Sequence, residues 1–173
     1  MASIGHIAVG LAAGRAYAPA RPGKAMLAFS LISIWPDADV LAFAFGIPYG
    51  DPFGHRGATH SLTVALAVGL VAAALSRPLK LPVLKTFLFT TVVAASHGLL
   101  DSTTFGGGLG PELLWPFSTE RFWSPVRLLP VAPIAGGMFS LWGLKVAVVE
   151  LFFFSPFWLY GLWPRFSRTP RSP

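Results

Sequence analysis

VLKTFLFTTVVAASHGLLD, residues 83–101, is the stretch of this chain that decides its fold. A helix needs about 20 mostly apolar residues to span the hydrocarbon core of a bilayer, and this stretch comes close to that length with one lysine before its closing aspartate. His97 and Asp101 lie four residues apart, so a helix places both side chains on one face. The stretch therefore predicts a membrane helix with an imidazole and a carboxylate near one end.

The composition of the whole chain is also that of a membrane protein. Of its 173 residues, 54% are hydrophobic and only 12% are charged, whereas soluble domains carry about 25% charged residues. The mean hydropathy is +0.63. Cysteine is absent, which excludes disulfides, thiolate zinc sites and cysteine nucleophiles. The net charge is +6, and the basic residues lie in short loops between apolar runs. We therefore expect contact with anionic membrane lipids and no nucleic-acid partner.

Four other apolar runs accompany the one at 83–100. They cover about residues 3–18, 25–45, 59–75 and 137–163. We predict an all-α integral membrane bundle of four to five helices, in which the short run at 3–18 is the least certain to cross. The pair Gly10 and Gly14 in that run predicts close helix packing.

A loop and a tail complete the predicted organisation. Residues 102–136 are rich in Gly, Pro and aromatic side chains, which suit a loop partly embedded at the membrane interface. Residues 1–163 are expected to form a single helical membrane domain, and residues 164–173 a basic mobile tail.

The basic residues predict how the bundle is oriented. Cytoplasmic loops of membrane proteins are enriched in lysine and arginine. If the runs cross, the end away from His97 carries nine basic residues and the end near His97 carries three, so we expect the latter to face away from the cytoplasm. The nine are Arg15, Arg21, Lys24, Arg77, Lys80, Lys85, Arg165, Arg168 and Arg171, and the three are Arg56, Arg121 and Arg127.

All four histidines fall at that same end of the predicted helices. They are His6, His55, His60 and His97. Asp37 and Asp39 lie in the same half of the second run, and ionisable groups inside a membrane bundle usually face its interior or a wet cavity. Nitrogen and oxygen ligands without sulfur fit zinc best, with manganese, iron or magnesium as alternatives. The pattern therefore predicts a divalent metal site.

Roles within this group follow from spacing and chemistry. Asp37 and Asp39 are two residues apart, so they can share a site only if Pro36 distorts the helix. We expect Asp37 to ligate the metal, and Asp39 to orient a histidine or act as a base. Arg56 has a planar guanidinium that suits a phosphate or carboxylate. His55 is either a ligand or catalytic group, or a solvated loop residue.

A non-metal interpretation stays open, because His, Ser and Thr side chains also hydrogen-bond between packed membrane helices. The remaining acids are expected to be structural. Asp51 is predicted to be a turn residue, Glu112 and Glu120 to be solvated loop acids, and Glu150 to have a structural role.

Four ordered pieces of the chain resemble the YdjM-like membrane-bound metal-dependent hydrolases. They are GH at 5–6, PDAD at 36–39, HRGATHS at 55–61 and HGLLD at 97–101. The resemblance covers roughly residues 1–110 and implies a hydrolase of the bacterial inner membrane, without a defined substrate.

A more distant similarity links the chain to zinc-dependent phospholipases C and P1-type nucleases. It implies the metal ligands His6, Asp37, His60, His97 and Asp101. This chain has a single His-x-x-x-Asp pair, so one or two ions are expected rather than the three of those enzymes.

The function expected from the sequence is hydrolysis of a phosphoester in a lipid or lipid-linked substrate at the outer face of the membrane. A bound divalent ion lowers the pKa of its water to about 7, Asp39 or His55 moves protons, and Arg56 holds the anion. The alternatives are a metal or proton transporter or sensor using the same cluster, or a scaffold whose polar groups only pack helices. Transport would need ionisable groups toward the other face, where the sequence has few acids.

Overall fold

The computed structural model describes residues 3–164, so residues 165–173 of the predicted tail lie outside the described part. Within it the chain forms six α-helices and two two-residue strands that pair in parallel. The elements are α1 (Ser3–Tyr17), α2 (Gly23–Ile34), α3 (Leu62–Ser76), α4 (Val83–Ser102), β1 (Thr104–Phe105), β2 (Leu129–Pro130), α5 (Leu141–Phe153) and α6 (Ser155–Leu162). The all-α prediction is confirmed.

Helix α1 lies at the centre of the bundle, packed against α2, α4, α5 and α6. Its buried residues are mostly small, which lets neighbouring backbones approach closely. A Cβ at Gly10 would overlap the backbone of Ser30, and a Cβ at Gly14 would overlap that of Met26. The close packing predicted from these glycines is thus observed between α1 and α2.

The helix that begins as α2 changes its winding at Pro36. From Trp35 to Phe45 the chain forms a 3-10 helix, which we call the 3-10 segment, with Pro36 in its first turn. Proline removes a backbone donor and crowds the preceding turn, so a regular α-helix does not continue through it. The distortion predicted at Pro36 is confirmed. Gly46, at φ +77°, ends the segment in the left-handed conformation that glycine adopts readily.

The run predicted at 137–163 is divided into two helices. Helices α5 and α6 meet at an angle of 64°, and Pro156 lies in the first turn of α6, where its missing N–H is tolerated. Arg15 of α1 donates to the carbonyl oxygens of Gly161 at 2.9 Å and Trp163 at 2.6 Å. This cation therefore holds the end of α6 against α1.

Among residues 3–164, two helices are long and apolar enough to cross a membrane alone: Gly23–Phe45, which joins α2 and the 3-10 segment, and Val83–Ser102. A third span results if α5 and α6 count as one, while α3 is apolar but only 15 residues long. Large apolar side chains on the outside of the bundle, such as Leu27 and Leu84, are more than 60% exposed. Such an outer surface is suited to lipid rather than water.

An ion pair within the loop between α4 and α5 positions Arg121, which fastens this loop to the loop before α3. Arg121 Nη2 lies 2.8 Å from Glu112 Oε1, and Arg121 also donates to four backbone carbonyls, including that of His55. Glu112 is 1% exposed, so the prediction that it is a solvated loop acid was wrong. Burial raises the pKa of Glu112 above its usual value, and the neighbouring Arg121 guanidinium offsets only part of that rise. The pair was missed because Glu112 and Arg121 are brought together only by the path of the loop.

Candidate metal centre

The ends of four chain segments meet at one end of the bundle and bring the predicted ligands together. His6 lies in the first turns of α1, Asp37 in the 3-10 segment, and His60 in a short 3-10 turn, Ala58–His60, just before α3. His97 and Asp101 lie in the last turns of α4. Four of the five, His60, His97, Asp101 and His6, are almost fully buried.

The two imidazoles of His60 and His97 point their Nε2 atoms at each other, 3.1 Å apart, a hydrogen-bond distance if one of them carries a proton. His97 Nδ1 lies 2.6 Å from the carbonyl oxygen of Ser33. A carbonyl only accepts, so His97 Nδ1 carries the proton and its Nε2 presents a lone pair.

The same reasoning fixes the other ring. Thr59 Oγ1 donates to Asp39 Oδ2 at 2.7 Å, so it accepts from His60 Nδ1 at 3.0 Å. Asp39 Oδ2, an acceptor as well, lies 3.2 Å from that nitrogen. His60 Nδ1 is therefore a donor, and in the neutral ring its Nε2 also presents a lone pair. Two lone pairs at 3.1 Å repel, so this geometry requires a proton or a cation between them.

Two carboxylates complete a set of four ligand atoms. Asp37 Oδ1 lies 3.3 Å from His97 Nε2 and 3.8 Å from His60 Nε2, and Asp101 Oδ2 lies 3.5 Å from His60 Nε2. All four atoms are within 4.8 Å of one another. Ligands at about 2.0–2.2 Å from a tetrahedral zinc ion are about 3.3–3.6 Å apart. The residues present therefore fit a divalent ion with two nitrogen and two oxygen ligands.

His6 lies beside this set rather than within it. Its ring stacks on His97 with centroids 3.7 Å apart, and its Nε2 lies 3.4 Å from Asp101 Oδ1. The ring is fully buried, and within residues 3–164 neither of its nitrogens makes a hydrogen bond. Asp101 thus presents one oxygen toward His60 and the other toward His6. A carboxylate in that position can bridge two groups; the expected number of ions stays a prediction.

Asp39 lies behind the ligands and orients them. Its Oδ1 is 2.6 Å from His55 Nδ1, and its Oδ2 accepts from Arg56 N at 3.0 Å as well as from Thr59 and His60. Of the two roles predicted for Asp39, this geometry fits the orientation of histidines, because both oxygens are already engaged. Thr59 was not singled out from the sequence, although it lies within the HRGATHS motif.

Arg56 adopts an uncommon backbone conformation, with φ at +64°. A non-glycine residue in this region costs about 1–2 kcal/mol, and such residues cluster at functional sites. Arg56 Nε lies 2.9 Å from Asp101 Oδ2, while Nη1 donates to Thr104 Oγ1 and to the carbonyl oxygen of Leu109. The guanidinium predicted to hold an anion is therefore also the counter-ion of a ligand. These contacts with residues 3–164 use Nε and Nη1 of Arg56, and none of them uses Nη2.

The charges of the cluster favour a cation. Asp37, Asp39 and Asp101 carry three negative charges, against one positive charge on Arg56. Counted over these four side chains alone, with neutral histidines, the formal charge is −2, a sign that favours a cation. Buried charge without such compensation is costly.

A cavity of about 680 Å³ opens beside the cluster. Asp37, His55 and Arg56 line one part of it, and Asp37 is the most exposed of the four ligands, at 22% of its side chain. The rest of the lining is mainly apolar and comes from the 3-10 segment and residues 131–138. His60, His97 and Asp101 lie behind this wall, so the cavity reaches the ligand set through Asp37.

Other predicted roles for acids are settled by contacts. Asp51 Oδ1 accepts from Phe53 N at 2.8 Å, which is the turn role predicted for it. Glu150 is fully buried and accepts from Gly5 N at 3.0 Å, so it binds the amino end of α1 next to His6. A structural role for Glu150 was expected, but its partner was not.

The chain was compared with known proteins. The profile of the YdjM inner membrane protein family matches residues 1–167. The inner membrane protein YbcI of Escherichia coli (strain K12) is 40% identical over 143 residues, which are 82% of this chain and 80% of that protein. No solved structure gives a significant match.

Proposed function

The chain belongs to the YdjM inner membrane protein family, and from that premise we propose that it is a membrane-bound, metal-dependent hydrolase of phosphoesters. The observation that carries the proposal is the pair of opposed imidazole nitrogens, 3.1 Å apart, with a carboxylate on either side. Zinc is the ion that this donor set suits best, and manganese is the alternative. Bound there, the ion supplies a Lewis acid and an activated water.

His55 is the residue that we propose moves protons. Its Nδ1 lies 2.6 Å from Asp39 Oδ1, so the carboxylate fixes the ring and leaves Nε2 to exchange a proton. His55 also lines the cavity. A proton on Nε2 is therefore placed for transfer to the oxygen of a leaving group.

Arg56 and Asp37 are proposed to act on the substrate side of the cluster. Both line the cavity. Arg56 holds Asp101 through Nε and offers Nη2 to an oxygen of the phosphoryl group. Asp37 ligates the ion at the point where the cavity meets the ligand set.

A lipid or lipid-linked phosphoester is the proposed substrate class. Its support is the cavity, which joins a polar group of side chains to an apolar lining inside a membrane protein. The excess of basic residues at the opposite end of the bundle supports a site on the outer side of the inner membrane.

Transport or sensing by the same cluster is the competing proposal. Residues 1–36 and 52–100, which include the far ends of α1 to α4, contain no Asp or Glu. A path for protons or metal ions across the membrane normally uses ionisable side chains. The distribution of acids therefore favours hydrolysis.

Metal content decides whether the proposal stands. Detergent-purified wild type should contain a stoichiometric transition metal, which His97→Ala and Asp37→Ala should lose while remaining folded. Chelation should abolish turnover of phosphoesters and phospholipids, and zinc or manganese should restore it. Wild type without metal after reconstitution, or metal-loaded protein with no turnover, would remove the basis for a hydrolase.

A further inference from the structure

The 3-10 segment arranges three side chains in a row that starts at the metal centre. A 3-10 helix has three residues per turn, so side chains at i and i+3 lie one above the other. Asp37, Val40 and Phe43 have this spacing, and all three line the cavity. With a rise of about 2 Å per residue, the row extends about 12 Å from Asp37 to Phe43.

Apolar residues from the loop before α5 also line the cavity. They include Val131, Ile134 and Met138. Gly106–Gly108 line the cavity as well, and Gly107 has a φ of +137° that disfavours any other residue. The cavity is therefore a cleft with one polar end and two apolar sides.

Exposure of the side chains rises along the cleft. Asp37 is 22% exposed, Phe43 37% and Ile134 38%. Beyond them, Phe45 is 83% exposed and Phe139 is 95% exposed. The apolar sides of the cleft thus continue into apolar residues on the outside of the molecule, where lipid chains are the matching environment.

We propose that this cleft is a binding site for one hydrocarbon chain of a phosphorylated lipid. The phosphate lies at Asp37, His55 and Arg56, and the chain lies between Val40 and Phe43 on one side and Met138 on the other. The proposal rests on the proposed function for the position of the phosphate. It adds that the hydrocarbon chain is recognised by the protein, so that a soluble phosphoester with the same head is a poor substrate.

Photolabelling tests the position of the chain without relying on turnover. Metal-bearing protein in phosphatidylcholine vesicles would be irradiated with a dodecylphosphonate that carries a diazirine at the end of its chain. We expect labelled peptides from residues 40–45 and 131–139, and at least a tenfold loss of label when tetradecyl phosphate competes. Ethyl phosphate, which has the head without the chain, should not compete.

Variants on the cleft and on the lipid-facing side sharpen the comparison. Val40→Trp fills the cleft and should lower the label at least tenfold, whereas Leu41→Trp, on a residue 65% exposed and outside the cavity lining, should not. Met138→Trp fills the cleft from the other wall and serves if Val40→Trp does not fold. Label that falls on α3, or that tetradecyl phosphate does not displace, would overturn the proposal.

Hydrolysis of tetradecyl and ethyl phosphate separates the two proposals. We expect kcat/KM to be at least tenfold higher for the long-chain ester. Equal turnover of both esters, without displaceable label, overturns the cleft and leaves the hydrolase. Displaceable label in the cleft with no turnover of either ester overturns the hydrolase and supports the cleft as a lipid site.

Discussion

At the scale of single residues, Asp39 links the histidines to the loop that carries them. Its two oxygens face donors from His55, Arg56, Thr59 and His60, all within six consecutive residues. A buried donor that loses its acceptor costs about 1–3 kcal/mol. One carboxylate therefore fixes the conformation of residues 55–60 as well as the direction of the His60 ring.

Asp39→Asn should weaken metal binding without removing a ligand. The asparagine amide would place an N–H group against one of the donors from which Asp39 accepts a hydrogen bond. His60 would then lose its fixed orientation. Loss of such a supporting group typically lowers metal affinity about 10–100-fold, which competition with a chromophoric chelator measures. Asp51→Asn is the matched control, because an amide oxygen can still accept from Phe53 N. Equal affinity in both variants would contradict the orienting role.

Individual site residues were predictable to the extent that their chemistry is unusual in a membrane helix. His97 and Asp101 stand out in an apolar run, and HRGATHS is a distinctive motif. The carbonyl oxygen of Ser33 that fixes His97 was not predictable, because every residue has a carbonyl and only the packing of α2 on α4 selects this one. The ion pair of Arg56 with Asp101 likewise depends on a positive φ that the sequence does not reveal.

At the scale of elements, the close approach of α4 to the short turn before α3 sets the distance between the two central histidines. A Cβ at Gly98 would overlap the carbonyl oxygen of His60 and would lie 3.1 Å from Leu113 Cδ2. A backbone atom cannot move aside by rotating, so the turn that carries His60 would shift. Glycine at 98 therefore keeps His60 next to His97.

Gly98→Ala should lower both the stability of the fold and its metal affinity. Overpacking of this kind typically costs about 1–3 kcal/mol, and the shift of His60 separates two ligand nitrogens. Thermal unfolding in detergent and chelator competition measure the two effects. Gly23→Ala has no atom within 4 Å of the new methyl group and should change neither. An unchanged metal affinity in Gly98→Ala would show that the turn tolerates the shift.

Glu150→Gln should destabilise the contact between α5 and α1. Glu150 places a negative group against the amino end of α1, where Gly5 N donates to it at 3.0 Å. Such an interaction with a helix dipole contributes up to about 2 kcal/mol when it is partly buried, so we expect a loss of about 1–2 kcal/mol in the free energy of unfolding. Glu120→Gln, in an exposed part of the loop, should be neutral. Equal stability of the two variants would refute the anchoring role.

The helices could be predicted from apolar runs and prolines, but their lengths could not. A distortion at Pro36 was the condition for Asp37 and Asp39 to share a site, but a 3-10 segment of 11 residues could not be predicted from one proline. The run at 137–163 is continuous in hydropathy, yet Pro156 and the turn at Phe154 divide it. For the short run at 3–18 the sequence left open whether it crosses the membrane, and its small residues place α1 at the centre of the bundle.

At the scale of the whole molecule, the ligand-bearing ends lie together at one end of the bundle, and the loop between α3 and α4 lies at the other. The loop that contains Glu120 contacts the site end through Arg121. The uneven distribution of basic residues predicts that these two loops face different compartments. Because the chain has no cysteine, a single introduced cysteine reports which side of the membrane its position faces.

Thr119→Cys should react with a membrane-impermeant maleimide in intact bacterial spheroplasts, and Leu79→Cys should react only after permeabilisation. Both positions are exposed, and neither substitution alters the charges that set the topology. Mass spectrometry of the modified protein measures the two rates. The reverse pattern would place the site on the cytoplasmic side and would exclude the outer-face substrate proposed above.

The ligands are spread along the chain from His6 to Asp101, and this has a consequence for how the protein matures. The ribosome releases His6 early and Asp101 only after most of the chain has been made. Until α4 enters the bilayer, His60 has no His97 opposite it, and the proposed four-ligand set is incomplete. On the proposed function, filling of this four-ligand set is therefore a late step of biogenesis, because a chain stalled before α4 lacks two of the four ligands.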